Sequence, residues 1–102
     1  MIKVTIKEKN DNIDKIIIKG HALFDDYGKD IVCSAVSSIV TTTINCVLAL
    51  KEDGLKYNSK EGFVEITDIK GESSFKLINV MITMLKELEN NYPSNIKIGK
   101  EC

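Results

Sequence analysis

Apolar and polar residues alternate from the start of the chain: Ile2, Val4 and Ile6 against Lys3, Thr5 and Lys7. A period of two sends the two sets to opposite faces of a strand, so this stretch predicts a strand with one buried side. Asn10-Asp11-Asn12 supplies turn chemistry. A second strand through Ile16, Ile17 and Ile18 runs to about His21, and the two are expected to pair as a hairpin. Ala22 to Lys29 keeps neither period and reads as a loop. From Asp30, placed as an N-cap, the period becomes helical. Val32, Ala35, Val36, Ile39, Val40, Thr43, Val47 and Leu50 make the stripe, and Cys46 is expected near its middle. Glu52-Asp53-Gly54 ends the helix, with Gly54 as candidate C-cap.

Leu55 to Asn58 and Phe63 to Thr67 predict a second hairpin around Ser59-Lys60-Glu61-Gly62. A second helix is expected from Ser73 or Ser74, with Leu77, Ile78, Met81, Met84, Leu85 and Leu88 as its stripe. Val80 and Ile82 widen that arc, which implies either deep burial or burial on two sides, by the sheet and by a second subunit. Pro93 follows the helix end, and Ile96 and Ile98 make a last short strand. The order ββαββαβ predicts an α+β fold, a mainly antiparallel sheet packed with two helices, as one domain over residues 1–102.

Composition narrows the function more than the fold. Hydrophobic residues are 43% and charged residues 28%, and 14 basic against 15 acidic side chains leave a net charge of -1. The charges are scattered without a basic block, which argues against nucleic-acid binding. No stretch reads as the roughly 20 consecutive apolar residues of a membrane span, and the alternating N-terminus does not read as a secretory signal. Three cysteines, Cys33, Cys46 and Cys102, are an odd number without C-x-x-C spacing. That suits reduced thiols in the cytoplasm better than a disulfide framework. With His21 they make four soft side chains, but without ligand-knuckle spacing, so neither a metal nor another cofactor is expected.

Candidate chemistry concentrates between Gly20 and Ser37, which hold the single histidine and the first cysteine. With Asp30 as N-cap, Cys33 is the third helical residue, beside the positive end of the helix dipole, where a thiolate is favoured. At about 100° per residue, Cys33 borders the polar face, with Asp30 one turn before it and Ser37 one turn after it. A histidine within hydrogen-bond reach would serve such a thiol as base, then as acid to the leaving amine. His21 ends a strand, and the loop after it is long enough to double back. Each residue also has an ordinary reading: a cysteine in an amphipathic helix as core packing, a strand-end histidine as structural, Asp30 as a plain cap, Ser37 as a surface serine. Spacing alone leaves these open.

The run Gly20-His21-Ala22, a short acidic and aromatic loop, then Gly28-x-Asp30-Ile31-Val32-Cys33-x-Ala35-Val36-Ser37, resembles the ribosomal-processing cysteine proteases of bacteria, the Prp family. The resemblance extends to length and element order. It implies a cysteine endopeptidase that removes the N-terminal extension of large-subunit ribosomal protein number twenty-seven during ribosome assembly, cutting after a hydrophobic, Phe-rich stretch. It further implies His21 and Cys33 as the catalytic pair, Asp30 and Ser37 in support, and a homodimer. Leu23, Phe24, Asp25, Asp26, Tyr27 and Gly28 carry over as substrate-loop positions. Ser34 departs from the alanine common after the catalytic cysteine, at a position facing the polar side. The competing reading is a non-catalytic module that binds a ribosomal protein during assembly, with His21 and Cys33 as packing residues.

Overall fold

The alternation at the N-terminus is realised as a strand, β1 (Ile2–Lys9), paired antiparallel with β2 (Asn12–Lys19). Asn10 and Asp11 turn the chain between them with φ of 53° and 65°. A two-residue hairpin loop needs left-handed backbone at both positions, and short polar side chains tolerate it. The computed structural model describes residues 1–20 and 27–101, with the side chains of 27–30 not among those described. The further elements are α1 (Tyr27–Leu50), β3 (Lys56–Lys60), β4 (Phe63–Thr67), α2 (Glu72–Asn91) and β5 (Ile96–Glu101). The ββαββαβ order is therefore as expected.

The strands form one sheet in the order β3-β4-β2-β1-β5. Three of its four pairings are antiparallel, and β5 lies parallel to β1, so the sheet is mixed. Register carries the core across it. Ile6, Ile16 and Ile66 stand opposite one another, as do Val4, Ile18 and Val64, and Ile2 pairs with Ile96. Helices α1 and α2 pack on each other, and their buried residues join this sheet face in one core. The other face carries Lys3, Lys19 and Phe63 in one row and Thr5, Ile17 and Glu65 in the next. A one-residue slip of β1 would exchange the two faces. Each fully buried aliphatic side chain is worth about 1.5–3 kcal/mol, so the register is strongly held.

Several boundaries differ from the sequence reading. The helix expected from Asp30 is already formed at Tyr27, so Asp30 lies within it rather than at its N-cap. Tyr27 and Gly28, expected in a loop, are helical in backbone. β2 stops at Lys19 rather than at His21, and the second hairpin turns at Glu61-Gly62, with Ser59 and Lys60 still in β3. α2 starts at Glu72, after Gly71.

On α1 the buried row is Val32, Val36, Val40 and Ile44, followed by Val47. A step of four residues advances about 400°, so the row winds some 40° round the helix at each step. Cys46 and Leu50, in line with the stripe where the helix begins, have fallen to the outside by its end: Cys46 is exposed and Leu50 is 67% exposed. On α2 the stripe buries Ile78, Met81, Ile82 and Leu85, while Val80 and Met84 face outward. Gly54 is not a left-handed cap. It is buried, and a Cβ there would stand 2.6 Å from Ser74 Oγ and 2.8 Å from Val47 Cγ1, so the two helices leave room for hydrogen only.

Ile31–Leu50 is also long and apolar enough to cross a membrane by length and composition, with a mean hydropathy of 1.8. The sequence reading had found no such stretch, because serine, threonine and asparagine interrupt the aliphatic residues without adding charge. Five residues of this segment are core residues against the sheet, as in the core helix of a folded domain.

Candidate active site

The winding of α1 determines what stands beside the core. The row one position ahead of Val32, Val36, Val40 and Ile44 is Cys33, Ser37, Thr41 and Asn45, on the side towards which the buried row turns. Cys33 is partly buried and packs against the core, whereas Ser37 and Thr41 are exposed. Across from this row lies the β3–β4 hairpin. The two walls enclose a cleft of about 420 Å³ that Cys33 and Ser37 line together with Val40, Ser59, Phe63 and Val64. Ser37 is four residues from Cys33, roughly 6 Å along the helix axis. The border position expected for Cys33 is thus the one it occupies.

The floor at the Cys33 end is formed where three strands finish or begin, with Ile2, Ile18, Gly20 and Gly62 lining it. Gly20 has φ of 101°, and a Cβ there would run into the carbonyl oxygen of Met1. Its N–H donates to the Gly62 carbonyl at 2.9 Å, which ties the end of β2 to the second hairpin turn. Gly20 therefore has to be glycine on two counts, backbone conformation and close approach. It delivers the chain to the rim of the cleft one residue before His21.

His21, Leu23, Phe24, Asp25 and Asp26 lie outside the described residues. Asp30, Tyr27 and Gly28 are located by backbone only, in the first turn of α1. Among the catalytic and supporting candidates, the structure brings together Cys33 and Ser37. It also changes the electrostatic argument for Cys33. With the backbone already helical at Tyr27, Cys33 is at least the seventh helical residue, roughly 9 Å or more along the axis from the start. The unpaired N–H groups of a helix belong to its first turn, and the dipole effect fades beyond it. Neither a helix-end field nor an oxyanion site built from those amides reaches Cys33. No group of three or more metal-ligating side chains occurs among the described residues.

Sequence reasoning did not assign the hairpin wall. Ser59, Phe63 and Val64 read only as strand residues, and Gly62 only as a turn glycine. Strand pairing puts them across from α1, and no local pattern reports that pairing.

The model of the cysteine protease Prp family fits residues 1–97. The chain belongs to the Prp cysteine protease family. The ribosomal processing cysteine protease Prp of Mycoplasma genitalium is 31% identical over 111 residues, covering 99% of this chain and 97% of its own. The Bacillus subtilis Prp is 30% identical, covering 96% of each. A crystal structure of the Staphylococcus aureus Prp with a covalently linked product peptide superposes with a TM-score of 0.87 at 25% identity, covering 99% of this chain and all of that one. The Prp assignment makes this chain a cysteine protease, with the α+β fold of the solved Prp structures, and sets aside the non-catalytic reading.

Proposed function

We propose that this chain is the endopeptidase that removes the N-terminal extension of large-subunit ribosomal protein number twenty-seven, with Cys33 as nucleophile and His21 as general base. The observation that supports this most is the exposure of Cys33 to a cleft whose rim is Gly20, the residue before His21. His21 takes the thiol proton, and the Cys33 sulfur attacks the scissile carbonyl carbon. The tetrahedral intermediate collapses as His21 returns the proton to the leaving amine, which leaves a thioester on Cys33. Water, deprotonated by His21, then hydrolyses the thioester and restores the thiol. Ser37, one turn on in the same cleft, holds the substrate or the Cys33 thiol. Asp30 orients His21. Leu23, Phe24 and Tyr27 receive apolar residues of the extension, and Asp25 and Asp26 attract basic residues beyond the cut.

The substrate class is supported by the names of the relatives, which are ribosomal processing proteases, and by a Staphylococcus aureus structure with a substrate peptide. We place the reaction in the cytoplasm, in keeping with free Cys33 and Cys46 thiols. We propose a homodimer, which accounts for the outward-facing Val80 and Met84 on α2.

The test is cleavage of a peptide spanning the extension junction of the host ribosomal protein by the intact protein, Cys33→Ala, His21→Ala and Cys46→Ala. The proposal expects one cut after the hydrophobic stretch by the intact protein and Cys46→Ala, and none by the other two. Undiminished cleavage by Cys33→Ala, or a folded intact protein that never cuts this peptide, overturns it.

A further inference from the structure

The cleft at Cys33 does not end at Thr41. A second hollow of about 240 Å³ continues along α1, lined by Val40, Thr41, Ile44, Asn45, Tyr57, Ser59 and Val64. Four of these residues, Val40, Thr41, Ser59 and Val64, also line the first cleft. The two hollows are therefore one trough between α1 and the β3–β4 hairpin.

The far hollow differs chemically from the near one. Lys60 and Glu61 line the Cys33 end. No charged residue among the described residues lines the far end. Its α1 wall belongs to a helical segment that carries no charge from Ile31 to Leu50. Its floor is Val40, Ile44 and Val64, and Tyr57 stands over it. Tyr57 pairs with Ile66 in the strand register and so shares the sheet face that the helices cover, yet it is 53% exposed. The cause is topological. β3 is an edge strand, and its half-exposed Tyr57 leaves an apolar shelf beside α1.

We infer that this shelf is a specificity subsite that takes an apolar side chain of the substrate four to five residues upstream of the scissile bond. The distance follows from the helix. Thr41 and Ile44 lie eight and eleven residues beyond Cys33, roughly 12 and 16 Å along the axis at 1.5 Å per residue. An extended peptide covers that in about four to five residues at roughly 3.3 Å each. The chemistry of the occupant follows from the walls, since a charged side chain would find no opposite charge among the described lining residues, whereas an aliphatic or aromatic one exchanges water for Val40, Ile44 and the Tyr57 ring. The upstream direction rests on the proposed function, in which the removed segment is hydrophobic and precedes the cut. The shelf itself rests on geometry alone.

The test uses two peptides, one with six residues upstream of the cut and one with three, and the variants Asn45→Lys and Tyr57→Ser. Both substituted residues are exposed, so both variants are expected to fold, and circular dichroism checks this. For the intact protein, kcat/KM for the longer peptide should exceed that for the shorter by on the order of tenfold or more, the effect of burying one apolar side chain. That ratio should fall towards one in each variant. Replacing the upstream apolar residue at positions four and five with Asp should do the same in the intact protein. Binding of the labelled long peptide to Cys33→Ala, read by fluorescence anisotropy, should weaken in parallel on adding Asn45→Lys. If the intact protein cuts neither peptide but anisotropy shows this weakening, the shelf stands and the cleavage reading fails. If the length ratio is near one in the intact protein, is unchanged in both variants, or depends on residues downstream of the cut, the subsite assignment is overturned.

Discussion

Gly20→Ala tests the close packing at the end of β2, one residue before the proposed base His21. A side chain at φ of 101° is strained, at a cost of about 1–3 kcal/mol. The added Cβ would also meet the carbonyl of Met1, with Ile2 Cα at 3.4 Å beside it. Relief requires β1 to move, but Ile2 is 3% exposed and its N–H donates to the Asn95 carbonyl at 2.9 Å. The alternative is to move β2, which breaks the Gly20–Gly62 hydrogen bond, worth about 1 kcal/mol. The sum is about 2–4 kcal/mol, a large share of the roughly 5–15 kcal/mol that holds a domain folded. For a chain of this size it corresponds to a fall in Tm on the order of 10–25 °C. Urea denaturation followed by circular dichroism reads it directly. Gly99→Ala is the control, because a Cβ there meets nothing within 4 Å, and it should change stability by less than about 0.5 kcal/mol. Cleavage should fall further in Gly20→Ala than its unfolded fraction explains, since the turn out of β2 is displaced. Equal stability of the two variants would refute the argument from close approach.

Three further outcomes follow from packing and chemistry. Gly54→Ala should cost about 1–3 kcal/mol through overpacking between the helices, while Ser74→Ala, which removes a buried hydroxyl without a partner, should be near neutral. The double variant should recover about 0.5 kcal/mol or more of the Gly54→Ala loss in chemical denaturation, although Val47 Cγ1 at 2.8 Å prevents full rescue. If the proposed homodimer forms through α2, Met84→Glu, at a position 45% exposed in the single chain, should shift the mass measured by light scattering from dimer to monomer without lowering helicity. Unchanged dimer mass would move the interface elsewhere. His21→Ala should reduce kcat about as severely as Cys33→Ala, because groups acting as a unit lose most of their effect when either is removed, and a stopped-assay rate within tenfold of the intact protein would exclude His21 as the base.

Strict alternation in β1 and the Asn-Asp turn were legible because both are local: each residue's environment is determined by its neighbours two to four positions away. That alternation also identified Ile2, Val4 and Ile6 as core, whereas the unbroken run Ile16-Ile17-Ile18 did not say which of its residues face inward. What was not legible depended on elements distant in the chain. Cys46 was read as buried because a straight stripe was drawn along α1, whereas the real buried row winds with its i,i+4 contacts to the sheet. Gly54 read as a cap because glycine after a helix usually is one. Its actual role, a contact point between Val47 and Ser74, exists only once α2 has packed. The parallel pairing of β5 with β1 is of the same kind, since Ile96 and Ile98 would read identically in either direction.

The start of α1 bears most directly on mechanism. A cap at Asp30 would have let the helix itself activate Cys33, and the histidine would then have been one contribution among two. With the helix already formed at Tyr27, its N-terminal amides stand about 9 Å or more before Cys33, and the dipole acts mainly within the first turn. The cleft around Cys33 is built instead from aliphatic side chains, neutral hydroxyls and one Lys60–Glu61 pair on the opposite wall. Among the described residues, Lys60 is the one cation that lines this cleft. In the proposed mechanism the base comes from outside this lining, and Gly20, one residue before His21, stands at the rim of the same cleft. If Cys33 and His21 act as proposed, the catalytic burden rests on the Gly20–His21 junction more than on α1, and a substrate that fills the trough from Cys33 to Tyr57 would exclude water from the thiol.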